Sequence, residues 1–230
     1  MSTTIDHAKS IADFFKRLPS IEVPEDVEPL EATNELVFSF LLWESTTQRA
    51  RPAMQRVAST FVDLNELRAS RIEDIVEVLG KTYPRGEERA MRLKASLHEI
   101  FSKEHEVSLA KASSLGKRDA RKYLDNLPGM VPFVAGRVVL LSMGGHAFPL
   151  EDRSLAMLIE HGVLEPDMDL PKAVGILERH IMADQALKQY LSFQAWVEMG
   201  GEAPKKPARS AARGTKTATR SRPTKSAKSK

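Results

Sequence analysis

The 230-residue chain contains no cysteine. Disulfides, a thiol nucleophile, thiolate zinc sites and cysteine-held iron–sulfur clusters are thereby excluded. It also lacks a long uninterrupted apolar run. The most hydrophobic stretch, 130–150, is broken by Pro132, Arg137, Pro149 and the pair Gly144-Gly145, so no membrane span is expected. The opening residues, MSTTIDHAKS, have no apolar stretch of the kind a secretory signal needs. These absences fit a cytoplasmic protein. Internal repeats are missing, and no window alternates apolar and polar residues well enough to argue for a strand. His7, His98, His105, His146, His161 and His180 show no metal-ligand spacing, and no phosphate-binding G-x-x-x-x-G-K-[ST] loop occurs. Neither a metal nor a cofactor is expected.

What is present is an uneven distribution of charge. The chain carries a net +3, from 34 Lys and Arg against 31 Asp and Glu. Residues 203–230 hold 10 of the basic groups and no acid, which leaves residues 1–202 at a net −7. An acidic body therefore carries a basic tail, APKKPARSAARGTKTATRSRPTKSAKSK, with no large apolar side chain. Such a segment buries too little surface to offset its ordering entropy and reads as disordered. Lys205, Lys206, Arg209, Arg213, Lys216, Arg220 and Arg222 would bind phosphates by counterion release. No aromatic is interleaved, so no base stacking is expected. The favoured partner is double-stranded DNA, bound non-specifically. A solubilising role, RNA, or folding back onto the acidic body are the alternatives.

Apolar spacing near 3.6 residues recurs along the body. It predicts helices over 5–18, 31–45, 51–62, 64–70, 71–79, 87–105, 117–126, 132–143, 152–161, 170–179 and 185–199. Gly80 reads as a helix stop, and Asp152 as an N-cap. Between the first two helices, 19–29 holds three prolines and four acids and reads as an extended connector. The expected architecture is all-α: an N-terminal helix and connector over 1–30, a helical core over 31–202, and the tail over 203–230.

The segment 124–164, LDNLPGMVPFVAGRVVLLSMGGHAFPLEDRSLAMLIEHGVL, resembles the helix–hairpin–helix and Gly/Pro–Asp loop of the endonuclease III superfamily of DNA glycosylases. Leu127-Pro128-Gly129 and Ala135 match the family's L-P-G-V-G-x-K/Y-T-A pattern. Asp152 matches the loop aspartate, and Leu155, Leu158 and Leu164 keep the spacing that follows it. Upstream, LVFSFLLWESTT (36–47) and IVEVLGKTYPRGEERAMRLK (75–94) resemble two further family segments.

The resemblance implies a two-lobed helical fold with its hairpin near 117–143, and a base-excision-repair function on DNA. It implies a flipped base, with Asp152 as the catalytic carboxylate or Glu151 if the register slips by one. It implies hairpin contacts to DNA at Leu127, Gly129, Met130 and Val131. The lysine of lyase-type members is replaced by Phe133, which leaves no Schiff-base chemistry. Phe133 is then either a base-stacking aromatic or part of the core. Ser45 stands nearest to the residue that fills the gap left by the flipped base, but it is short. Val131 replaces the second hairpin glycine and Pro132 lacks an N–H, both of which weaken a backbone phosphate site. The expected function is monofunctional N-glycosylase, with a catalytically inactive DNA-binding relative as the alternative. Oligomeric state is not legible.

Overall fold

In the computed structural model, the residues described are 6–18 and 30–202. Among them lie twelve helices and no strand, so the all-α expectation holds. They are α1 (His7–Arg17), α2 (Ala32–Leu42), α3 (Thr47–Thr60), α4 (Leu64–Ala69), α5 (Ile72–Leu79) and α6 (Gly86–Glu104). Then come α7 (Ala110–Ser114), α8 (Lys117–Asp125), α9 (Pro132–Leu141), α10 (Asp152–Glu160), α11 (Leu170–His180) and α12 (Ala183–Glu198). The connector 19–29 and the tail, with all its expected DNA-contacting residues, lie outside the described residues.

The hydrophobic pattern explains the layering. In α2, Leu36, Val37, Phe40, Leu41 and Leu42 are all buried, so the helix is enclosed on every side. It packs on α3, α6 and α9, while α5 packs on α3 and α6. The helices α2–α9 form one lobe. The chain ends form the other: α1 packs on α11, α10 packs on α11, and α12 returns to α9. Phe14 of α1 meets Phe193 and Trp196 of α12 edge-on, at centroid distances of 6.4 and 5.0 Å. The N-terminal helix is thus part of the core rather than an appendage.

Three local departures from the sequence reading have physical causes. α3 begins at Thr47, four residues before its expected start, and Pro52 lies inside it. Pro52 is the sixth residue of α3, past the first turn, so its missing N–H removes one i→i−4 bond and the proline does not mark the helix start. α7 is only five residues long, too short to show a period. The cap of α10 is Glu151, not Asp152, which sits one position inside the helix. Gly80 ends α5 as expected, with φ +95°.

The hairpin α8–turn–α9 is built around Pro128 and Gly129. Gly129 has φ +77°, and a Cβ there would lie 2.5 Å from the carbonyl oxygen of Arg92. Both the turn and the close approach to α6 therefore require glycine. Ser96 on the same helix donates to the carbonyl of Pro128 at 2.8 Å, which ties the turn down a second time.

Candidate active site

The carboxylate of Glu151 faces a small cavity between the two lobes. Leu42, Phe133, Pro149, Phe193 and Val197 make its apolar wall. Ser45, Ser154, Tyr190, Gln194 and Arg153 supply polar edges. The cavity volume is about 20 Å³, room for about one water. A wider groove of about 600 Å³ between α1 and α12 has no acidic side chain in its lining.

Glu151 is 5% exposed. Its local sequence explains how it is held. The Ser154 hydroxyl accepts the Glu151 N–H at 3.1 Å and donates to its carbonyl at 2.9 Å, closing the first turn of α10. The N–H of Glu44 donates to Glu151 Oε2 at 2.6 Å. Glu44 follows the end of α2 with φ +49°, a conformation costing about 1–2 kcal/mol for a non-glycine residue. That strained turn aims its N–H at the carboxylate. Burial pushes the Glu151 carboxyl up to about 7. The Glu44 N–H works against this rise, the Glu44 charge adds to it, and Arg153 and Arg89 oppose it.

Arg89 secures the end of α2 from beneath. It is fully buried and donates to the carbonyls of Phe40, Trp43 (2.6 Å) and Pro84. Tyr83 adds a bond to the Leu41 carbonyl at 2.8 Å. Helix-terminal carbonyls that would lack partners inside the protein are thereby satisfied. Burial lowers Arg89 to about 10, so it stays charged at neutral pH.

A second buried guanidinium organises the far wall. Arg137 of α9 pairs with Glu35 of α2 at 3.0 Å and donates to Ser39 at 3.0 Å. Its Nη1 donates to Tyr190 Oη at 2.6 Å and to Gln194 Oε1 at 2.8 Å. Burial works against the charge of Arg137, but Tyr190 and Glu35 outweigh it and hold the group above its ordinary range. Because arginine only donates, it holds the Gln194 carbonyl inward, and the amide nitrogen turns toward Thr47 and Glu198.

The expected site residues distribute as follows. Glu151, Phe133 and Ser45 come together at the cavity. Asp152 is exposed and outside its lining. In the hairpin, Leu127 and Val131 are buried, while Gly129 and Met130 are half-buried. The Met130 N–H is used within the turn, donating to the Leu127 carbonyl at 3.1 Å. The sequence reading missed Gln194, Tyr190 and the Arg137–Glu35 pair. Only a charge within the apolar run 130–150 hinted at the last of these. Among the described residues no group of three acidic or histidine side chains is placed to hold a metal, and no helix is long and apolar enough to cross a membrane.

No family model and no curated protein matches the chain. Solved structures do. A trapped endonuclease III–DNA covalent intermediate matches with TM-score 0.60 at 12% identity, covering 82% of each chain. The Clostridium acetobutylicum 8-oxoguanine glycosylase/lyase, in complex with double-stranded DNA, matches with TM-score 0.61 at 17% identity. That match covers 84% of this chain and 67% of the other. The H. pylori 3-methyladenine DNA glycosylase bound to 1,N6-ethenoadenine matches with TM-score 0.59 at 12% identity, over 86% of this chain and all of its own. The fold is that of the helix–hairpin–helix DNA glycosylases.

Proposed function

We propose that the protein binds double-stranded DNA and acts as a monofunctional N-glycosylase, with Glu151 as its catalytic carboxylate. The observation that carries this reading is a buried carboxylate at the N-terminus of α10, inside a cavity at the junction of the lobes. Its support is the fold shared with DNA glycosylases. A flipped nucleotide would bring its sugar to Glu151. The ionised carboxylate then stabilises the positive charge that develops on the sugar as the C–N bond breaks, and orients the attacking water. Phe133 stands where a lyase needs its lysine, so no strand cleavage follows.

With Glu151 at about 7, base release is expected to rise with pH through neutrality and level off above it. A cavity of about 20 Å³ is far below the several hundred Å³ of an ordinary ligand pocket. Base entry therefore requires its wall to open.

That closure also favours a second reading, a DNA-binding protein without chemistry. Val131 and Pro132 at the hairpin point the same way. The test is single-turnover base release from duplexes carrying uracil, 8-oxoguanine, 3-methyladenine or 1,N6-ethenoadenine. On the duplex that reacts, Glu151→Gln is expected to slow release by about 100-fold or more, with Asp152→Asn within twofold of wild type. The reverse pattern would move the role to Asp152. No release from any duplex, with a retained preference for an abasic analogue, would establish the second reading.

A further inference from the structure

We propose that Arg85 and Arg92 form a clamp for the phosphodiester backbone of duplex DNA, set between the hairpin turn and the Glu151 cavity. The clamp deepens the DNA-binding reading above and rests on it for the identity of the partner.

Four observations carry the inference. First, both guanidinium groups lie against one aromatic ring: Arg85 is 5.1 Å and Arg92 5.5 Å from the Trp43 centroid. The ring attracts cations and holds both heads in place without consuming their N–H donors. Second, one carboxylate serves both. Glu88 meets Arg85 Nη1 at 3.2 Å and Arg92 Nε at 2.9 Å. The cluster keeps a net positive charge, and each side chain uses one of its five N–H donors. The side chains of Arg85 and Arg92 are 48% and 38% exposed, so both are open in part to solvent. A planar donor fork is suited to two phosphate oxygens at once.

Third, the neighbouring cations do different work. Arg56 donates to the carbonyls of Val78 and Leu79 at the end of α5. Lys94 donates to those of Arg68 and Ser70 at the end of α4, and Arg89 secures the end of α2. Among the described residues, Arg85 and Arg92 donate to no main-chain carbonyl. Arg85 is moreover held in the left-handed region at φ +50°, a strained setting that persists only where the surrounding structure fixes it.

Fourth, the cluster sits on the path between the two DNA-facing features. The Arg92 backbone is the surface against which Gly129 of the hairpin packs. Trp43 precedes Glu44, whose N–H reaches Glu151. The hairpin loses two donors, with Pro132 lacking an N–H and that of Met130 used in the turn. On a body with net charge −7, two guanidinium groups that share a single carboxylate supply a phosphate contact beside the hairpin.

The test is equilibrium binding of the full-length chain to an abasic-analogue duplex and to an intact duplex over a range of NaCl. Wild type is compared with Arg85→Gln/Arg92→Gln. The charge-matched control is Lys16→Gln/Lys172→Gln, two exposed surface pairs on α1 and α11. Each phosphate contact contributes about 0.9 to the slope of log K against log salt. The slope for the arginine variant is expected to fall by about 1–2 relative to wild type, with the control within error of wild type. Thermal melts check that both variants fold. An arginine variant that is folded and keeps the wild-type slope overturns the clamp. So does a control that loses as much slope as the arginine variant, since the loss is then general charge. Preference for the abasic duplex reports separately on the base-flipping reading. A slope that falls without any such preference keeps the clamp and rejects that reading.

Discussion

At the scale of single residues, Glu151 combines a liability with a use. Its carboxyl titrates at about 7 in the folded protein and near 4.3 in an unfolded chain. Between those values the folded state binds the extra proton, so stability is greatest at low pH and falls as pH rises toward 7. Above about pH 7.5 the loss is complete, on the order of 3 kcal/mol. Glu151→Gln removes the titration while keeping an acceptor for the Glu44 N–H. Its stability gain over wild type is expected to be near zero at pH 4.5 and about 3 kcal/mol at pH 8, read from urea melts at the two pH values. Equal gains at both would mean that burial of the charge is not the cause. The residue was only half legible beforehand. The resemblance points to Asp152 through the family's loop aspartate, with a helix cap as the other reading of that residue. The cap is decided by where the chain leaves Leu150, a buried residue whose placement depends on distant packing.

At the scale of elements, the helices were largely readable because each buries one stripe or is enclosed. The exceptions are instructive. α7 is too short to display a period. Arg137 looked like a flaw in an apolar run, because its partners lie on other helices: Glu35 is 102 residues away and Tyr190 is 53. No local pattern links residues at such separations. The network joins α2, α9 and α12, and so holds the wall of the cavity across the junction of the lobes. Arg137→Met is expected to destabilise by about 3–5 kcal/mol, because it leaves Glu35 buried without its cation. Adding Glu35→Leu should recover most of that loss in stability, since removing both charges removes the desolvation penalty as well. The double variant would still lose the bond that orients Gln194. Restored melting with unrestored base release would therefore separate the structural part of the network from its part in the site. A double variant as unstable as the single one would show that hydrogen bonds to Tyr190 and Ser39, rather than the ion pair, dominate.

At the scale of the whole molecule, the charge division is the most direct signal in the sequence, and under the proposed function it has a consequence for how DNA would be found. Residues 1–202 carry −7 and the full chain +3, so long-range attraction to a polyanion depends on the 28 residues from 203 on. On the proposed function, specific engagement belongs instead to the hairpin, the Arg85–Arg92 edge and the Glu151 cavity, all within the described residues. These contributions separate by range. Exposed charges act beyond contact only over a Debye length, about 10 Å at 0.1 M salt. Truncation after Glu202 is expected to weaken binding to intact duplex at 50 mM salt by about 100-fold or more, because several phosphate contacts are lost together. The same truncation should leave the ratio of abasic to intact affinity within about twofold of the full chain, since the tail has no aromatic with which to read a base. The two affinities, measured on the same pair of duplexes, decide the matter. If the ratio falls with the tail, the basic segment takes part in the flipped complex. If intact-duplex affinity is unchanged, the acidic body overcomes its own charge unaided.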